Sequence, residues 1–296
     1  MDVKLTLGTV QLGLDYGVQG HGKPDRRHAL ELLETAVGCG VSSFDTAQAY
    51  GEAEDVLGDF LSRTARQERL EVVSKLSPGA FDSAPRETWR SVAVRSAAES
   101  LERLHLERLD AFLLHNAARI HDPEAVAALA EVRREGLCER IGVSVYTPDE
   151  AMKALEYPEV DIVQVPYNVL DDRLDRCGFF RSARERNVRV YARSVLLQGL
   201  LAMPLDALPE RMGFARETLA GFHAICLELG VRPLDACVSV ACRHPGIHSV
   251  VFGADTVAQL LEFVAAAGEP LPALPLDAFR ELASRTAERV VSPNRW

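Results

Sequence analysis

Residues 109–146 read LDAFLLHNAARIHDPEAVAALAEVRREGLCERIGVSVY, and this stretch decides the fold class. "LDAFLL" and "IGVSV" are short, nearly continuous apolar runs, separated by the helix-patterned "PEAVAALAEVRREG". A strand apolar on both faces belongs in a sheet covered on both sides, and a parallel neighbour requires a crossover segment between the two strands. The same alternation continues outward in both directions. Upstream, "VKLTLGTV" leads to "PDRRHALELLETAVGCG", where Pro24 and Asp25 open a helix and Gly38 and Gly40 end it. "VSSFD" then leads to "EAEDVLGDFLSR", and "EVVSKL" to "RETWRSVAVRSAAESLERLH". Downstream, "RIGVSVY" precedes "PDEAMKALE", "VDIVQVPYN" precedes "DRCGFFRSARERN", and "VRVYARSV" precedes a loop and helices through residue 242. "HSVVFG" and "TVAQLLEFVAAAG" complete the series.

About eight such units fit an α/β chain folded as a (β/α)8 TIM barrel, which needs roughly 250 residues. The loop at 195–212 and a terminal helix, "LDAFRELASRTAERVV", account for the rest of the 296 residues. No Ser/Gly-rich linker interrupts the alternation, so residues 1–296 are expected to form one domain, with an open doubly wound sheet as the alternative. Hydrophobic residues make up 47% of the chain and mean hydropathy is −0.03, which suits a soluble protein with an ample core. The net charge of −10 argues against nucleic acid and anionic membranes as partners. No stretch approaches the roughly 20 apolar residues of a membrane span, and "MDVKLTLGTV" lacks a signal peptide's apolar core. Cys39, Cys138, Cys177, Cys226, Cys237 and Cys242 form no C-x-x-C, which predicts reduced thiols in a cytoplasm and no metal site.

In a parallel barrel the chemistry lies at the C-terminal strand ends. There the chain places Asp45, Lys75, His115, Ser144, Gln164 and Arg193, and Tyr50 follows Asp45 by five residues. A strand end carries a polar residue often enough merely because it meets water, but this set has a joint chemical logic. A phenol titrates near pH 10, and a lysine beside Tyr50 favours the phenolate. A carboxylate is needed to hold that lysine charged and aimed, which is the reading of Asp45. A histidine on the next strand, His115, orients a carbonyl oxygen. Together they would protonate an oxygen while hydride reaches the adjacent carbon.

Asp45, Tyr50, Lys75 and His115, in "FDTAQAYG", "VVSKL" and "LLHN", resemble the catalytic tetrad of the aldo-keto reductase family. Further segments resemble the family over nearly the whole chain: "LGTVQLGLDYG", "IGVSVYTPDE", "VQVPYNVLDD", "RSVLLQGLL" and "VVFGADTVAQL". The resemblance implies a TIM barrel that binds NAD(P) without a Rossmann domain, consistent with the lack of a G-x-G-x-x-G motif. It implies that Ser144 and Gln164 hold the nicotinamide carboxamide. Further cofactor contacts are implied at Arg193, Ser194, Leu196, Gln198, Gly253, Asp255, Gln259 and Glu262. A monomer acting on a small carbonyl or alcohol is the family default. The family also contains potassium-channel β subunits, so a cofactor-binding, redox-sensing regulatory subunit is the rival reading.

Two positions depart from the family pattern. Arg193 stands where many members stack a tyrosine under the nicotinamide, and a guanidinium can stack there instead. Asp255 stands where many members carry a basic residue, so NADP, the default cofactor, is expected to be less well distinguished from NAD. "GVQGHGKP" at 17–24 is nearly a phosphate-binding P-loop, but Pro24 offers no hydroxyl, so a Gly-rich active-site loop is the better reading. "HPGIH" at 244–248 contains Pro245 and Gly246, which break the helical face that two histidine ligands would need. The short "NAARIHDPEA" loop predicts an open mouth for a sugar-like carbonyl or a simple aldehyde, with Arg119 and His121 either contacting hydroxyls or an anionic group or solvated. Trp296 and the "VVSPNRW" tail either fold over that mouth or fray.

Overall fold

A computed structural model of the chain describes residues 3–18, 20, 22–64, 70–269, 271 and 274–296. Eight strands follow in chain order: β1 (Lys4–Gly8), β2 (Ser43–Asp45), β3 (Glu71–Leu76), β4 (Leu109–Leu114), β5 (Cys138–Ser144), β6 (Ile162–Pro166), β7 (Arg189–Arg193) and β8 (Ser249–Phe252). Each pairs in parallel with its neighbour in sequence. β8 also pairs with β1, from Lys4 opposite Ser249 to Leu7 opposite Phe252, so the sheet closes into a (β/α)8 barrel and is not an open sheet.

Helices cover the outside. α1 (Val10–Gly13) is a single turn after β1, and α2 (Arg26–Gly38), α3 (Ala53–Arg63), α4 (Trp89–Leu104), α5 (Pro123–Arg134) and α6 (Pro148–Ala154) cross between successive strands. α7 (Arg173–Arg176) and α8 (Phe179–Glu185) lie before β7, α9 (Arg216–Glu228) and α10 (Pro233–Cys242) before β8, and α11 (Val257–Gly268), α12 (Leu276–Arg285) and α13 (Glu288–Val291) after it. Local chemistry sets the helix starts. Asp25 caps α2 by accepting from the His28 amide, and Thr147 and Glu150 cap α6 reciprocally behind Pro148. The terminal helix expected over 276–291 is two helices. Thr286 and Ala287 are extended, and the Thr286 hydroxyl donates back to the Leu282 carbonyl, in competition with the helical ladder.

The main core lies between barrel and helices and includes Trp89, Phe112 and Phe179, all buried. Inside the barrel sits a smaller apolar cluster containing Val73, Leu113, Ile162 and Tyr191. Side chains of a strand alternate faces, so the residues two places further on point the same way. Those residues are Lys75, His115, Gln164 and Arg193. The site is the polar layer that ends the barrel's apolar interior. Beside it, α1 packs so closely on the turn carrying Tyr50 that a Cβ at Gly13 would overlap the Tyr50 carbonyl. No helix among the described residues is long and apolar enough to cross a membrane.

Candidate active site

Lys75 is fully buried, and its ammonium donates to Asp45 Oδ2 at 2.7 Å and to the Thr46 carbonyl at 2.8 Å. It also lies 3.4 Å from the Tyr50 hydroxyl and 4.9 Å from the centre of the Tyr50 ring. Asp45, itself buried, accepts on Oδ1 from Gln164 Nε2 at 2.8 Å. Gln164 Oε1 accepts from Ser144 Oγ at 3.1 Å, and Ser144 Oγ accepts from Arg193 Nε at 3.3 Å. A single hydrogen-bonded line therefore joins Arg193 on β7 to Tyr50 in the loop after β2. His115 faces Tyr50 edge to face, with ring centres 5.5 Å apart at 87°.

The turn that presents Tyr50 is fixed from two sides. Gln48 donates to the Ser96 carbonyl at 2.7 Å and accepts from the Ser77 amide at 2.8 Å, tying the turn to α4 and to the end of β3. Buried Glu54, at the start of α3, accepts from Ser74 at 2.5 Å and from Arg103 at 2.7 Å. Ser74 is the chain neighbour of Lys75, so this clamp joins the helix behind Tyr50 to the strand behind the lysine.

Burial dominates the electrostatics. It pushes the Tyr50 phenol above its ordinary value, the Asp45 carboxylate pushes the same way, and Arg193 opposes both. The sequence suggested a phenol lowered by Lys75, whereas desolvation of the phenolate outweighs the pull of Arg193 and carries the shift upward. Burial likewise lowers the Lys75 ammonium, with Asp45 pulling it back up. His115 is lowered to about 3 by burial first, then by the positive charges of Lys75 and Arg193. Its imidazole is neutral at physiological pH.

These groups sit at the floor of a cavity of about 860 Å³, within the usual range of roughly 300–1,000 Å³ for ligand sites. Asp45, Tyr50 and His115 line it, and Lys75 lies beneath them. Ser144, Gln164, Arg193, Ser194, Leu196, Gln198, Gly253, Asp255, Gln259 and Glu262 line the same cavity. Gly17, Val18 and Gly20 of the Gly-rich loop line it as well, while positions 19 and 21 lie outside the described residues.

Other side chains singled out in the sequence take partners away from the cavity. Arg119 does not line the cavity: it donates to Asp82 at 2.7 Å and lies 5.0 Å from the Trp89 ring centre. His121 also lies outside the lining, at the end of the short 3-10 turn Ala117–His121. Trp296 donates to the Arg289 carbonyl at 2.8 Å and does not cover the mouth. Of the two histidines in "HPGIH", His244 bonds Asp175 at 3.0 Å and His248 stacks on Tyr191.

The sequence reading passed over Gln11, Tyr146 and Arg232, which also line the cavity. Gln11 lies where any side chain at position 253 would stand, and its buried Oε1 has no protein partner. Tyr146 carries the Arg193 guanidinium at 4.5 Å from its ring centre. Its place two residues beyond Ser144 was a legible signal. Arg232 lies at the Asp255 end, where Asp235 holds it through two hydrogen bonds of 2.7 and 2.6 Å.

Comparison with known proteins supplies the context for this geometry. The model of the aldo/keto reductase family matches residues 4–283. The chain is 25% identical to an NADH-specific methylglyoxal reductase of Escherichia coli, over 95% of this chain and 94% of that one. It is 28% identical to a D-threo-aldose 1-dehydrogenase of Pseudomonas sp, over 88% and 90%. The fold superposes with a TM-score of 0.77 on an aldo-keto reductase of Bacillus halodurans in its holo form, at 22% identity over 95% of this chain and 92% of that one.

Proposed function

The chain belongs to the aldo/keto reductase family, an NAD(P)H-dependent oxidoreductase by that membership, and from that premise we propose that it reduces a small carbonyl compound with Tyr50 as proton donor. The observation that carries this reading is the junction at Tyr50, a phenol 3.4 Å from a fully buried lysine at the floor of the cavity. A phenol is protonated at neutral pH, the state an acid needs, and burial shifts Tyr50 further in that direction.

The residues present fit a nicotinamide dinucleotide. Ser144 and Gln164 offer a hydroxyl and an amide for a carboxamide, and the unpartnered Gln11 Oε1 and His115 Nδ1 await ligand hydrogen bonds. At the other end α11 offers the amides of a helix start, behind the Thr256 cap. When bound, NAD(P)H supplies hydride to the carbonyl carbon. Tyr50 gives its proton to the carbonyl oxygen, Lys75 stabilises the phenolate left behind, and Asp45 holds Lys75 in place. Neutral His115 fixes the oxygen by a hydrogen bond.

For the cofactor, Asp255 and Glu262 line the end remote from Tyr50, and Arg232 is already paired there with Asp235. Carboxylates accept hydrogen bonds from a ribose diol and repel a 2′-phosphate, so the reading extends to efficient use of NADH. The NADH specificity carried in the name of the Escherichia coli relative supports it. The cavity of about 860 Å³ has room for short oxo-aldehydes and aldoses beside a cofactor, and the protein is read as one domain acting as a cytoplasmic monomer. Turnover of NADH and NADPH against methylglyoxal, simple aldehydes and aldoses tests the reading. Tight cofactor binding without turnover on any of them would favour the redox-sensing subunit instead.

A further inference from the structure

We propose that Arg193 makes the cavity discriminate between the two redox states of its cofactor, binding the reduced nicotinamide more tightly than the oxidised one. This rests on the carbonyl-reductase reading above and goes beyond it. The inference starts from how the cation is held. Arg193 donates to Ser144 Oγ at 3.3 Å, to Ser194 Oγ at 3.2 Å and to the Val145 carbonyl at 2.8 Å, all neutral acceptors. Tyr146 backs the guanidinium at 4.5 Å. Ser194 takes a left-handed φ of 62°, a costly conformation for a residue with a side chain, at the point where its hydroxyl meets the guanidinium.

Three donor directions are thus committed to fixed neighbours, and one face lies on Tyr146. What Arg193 offers the cavity is a charge and a face, in place of a fork for a carboxylate. The other charges of the floor cancel: Lys75 is paired with Asp45, and Tyr50 and His115 are neutral. The floor therefore carries one net positive charge, within reach of any ring that exchanges hydride with a carbonyl bound at Tyr50.

The two redox states differ in charge at that ring. In reduction, the C4–H bond of the dihydronicotinamide breaks and its electron pair forms a C–H bond at the carbonyl carbon. The Tyr50 proton goes to the carbonyl oxygen, and the ring is left as a pyridinium cation. A fixed guanidinium repels that cation and leaves the neutral reduced ring unopposed. Arginine stays charged across the working range, so the bias does not depend on pH. Oxidised cofactor should leave more readily than reduced cofactor. The equilibrium on the protein should lie further toward the oxidised substrate than it does in solution.

Fluorescence quenching or calorimetry with NADH and NAD⁺ tests this without turnover, at pH 6.5, 7.5 and 8.5. Wild type should bind NADH more tightly at each pH. Two unit charges a few ångströms apart, screened by a partly exposed site, correspond to roughly a tenfold or larger difference in affinity. In Arg193→Met the ratio of the two dissociation constants should fall by about that factor, whereas Arg193→Lys, which keeps the charge, should retain most of it. A wild-type ratio at or below one overturns the inference even if neither variant folds. So does an equal loss of both affinities in Arg193→Met, which leaves the carbonyl-reductase reading standing. A wild type that binds neither of these, nor NADPH and NADP⁺, overturns that reading and this inference together.

Discussion

The Lys75 ammonium and the Asp45 carboxylate form a 2.7 Å ion pair from which water is excluded, with side chains 0% and 5% exposed. Removing one partner of such a pair leaves the other charge buried and alone, which typically costs about 3–5 kcal/mol. Lys75→Met and Asp45→Asn should each lower stability by amounts of that order. The double variant should cost less than the sum of the two. Denaturant unfolding of the four proteins checks it, and additive losses would mean that the pair contributes no coupling.

Tyr50→Phe should leave folding and cofactor affinity nearly unchanged and lower kcat by about 10²–10⁴-fold, the usual worth of a general acid. Retention of more than about a tenth of kcat, with chemistry limiting, would rule Tyr50 out. Asp45→Asn separates two routes by which the carboxylate acts on the phenol. Acting directly, Asp45 raises the phenol, so its loss should move the Tyr50 limb of the pH–rate profile to lower pH. A limb that moves upward would show that Asp45 acts mainly by holding the lysine, the route the sequence alone suggested.

His115 is lowered to about 3, with burial as the largest cause, so no histidine limb should appear in kcat/KM between about pH 5 and 8. The same shift has a stability consequence. The unfolded imidazole, near 6.5, takes up a proton before the folded one does. The contribution is therefore complete above about pH 6.5 and is lost as pH falls toward 3. His115→Gln should flatten the loss of thermal stability over that window, as read by melting temperature against pH. An unchanged slope would mean that the imidazole titrates normally.

These tests fall on residues that local pattern exposed and on others that it hid. Lys75, His115, Gln164 and Arg193 each follow an apolar interior residue by two places, so a period of two was enough to put them on one face. The barrel was legible from runs such as LDAFLL and IVQVP, each separated from the next by a helix-patterned segment. Gln48 and Glu54 act through partners about 48 and 49 positions away in sequence, and nothing near them in the chain signals those contacts. Arg119 went the other way: in a loop its sequence permits many directions, and Asp82 and Trp89 decide which one it takes. The sign of the Tyr50 shift depended on burial, which only the packed barrel supplies.

The last test concerns the end of the cavity proposed above for the cofactor's adenosine. Asp255 and Glu262 line the cavity there, and Arg232, also in the lining, is held by Asp235 through paired hydrogen bonds. A 2′-phosphate would bring a charge near −2 toward two carboxylates, and its binding would require Arg232 to leave its partner. NADH should therefore support turnover at least comparably to NADPH, and Asp255→Arg should shift the kcat/KM ratio toward NADPH by about tenfold or more. A wild-type preference for NADPH above about a thousandfold, roughly 4 kcal/mol, would mean that Arg232 does make that move. In that case Asp235→Asn, which loosens the hold on Arg232, should raise the preference further, and Arg232→Ala should abolish it. If neither variant changes the ratio and Asp255→Arg also leaves it unmoved, these side chains do not meet the ribose, and cofactor choice is set elsewhere in the cavity.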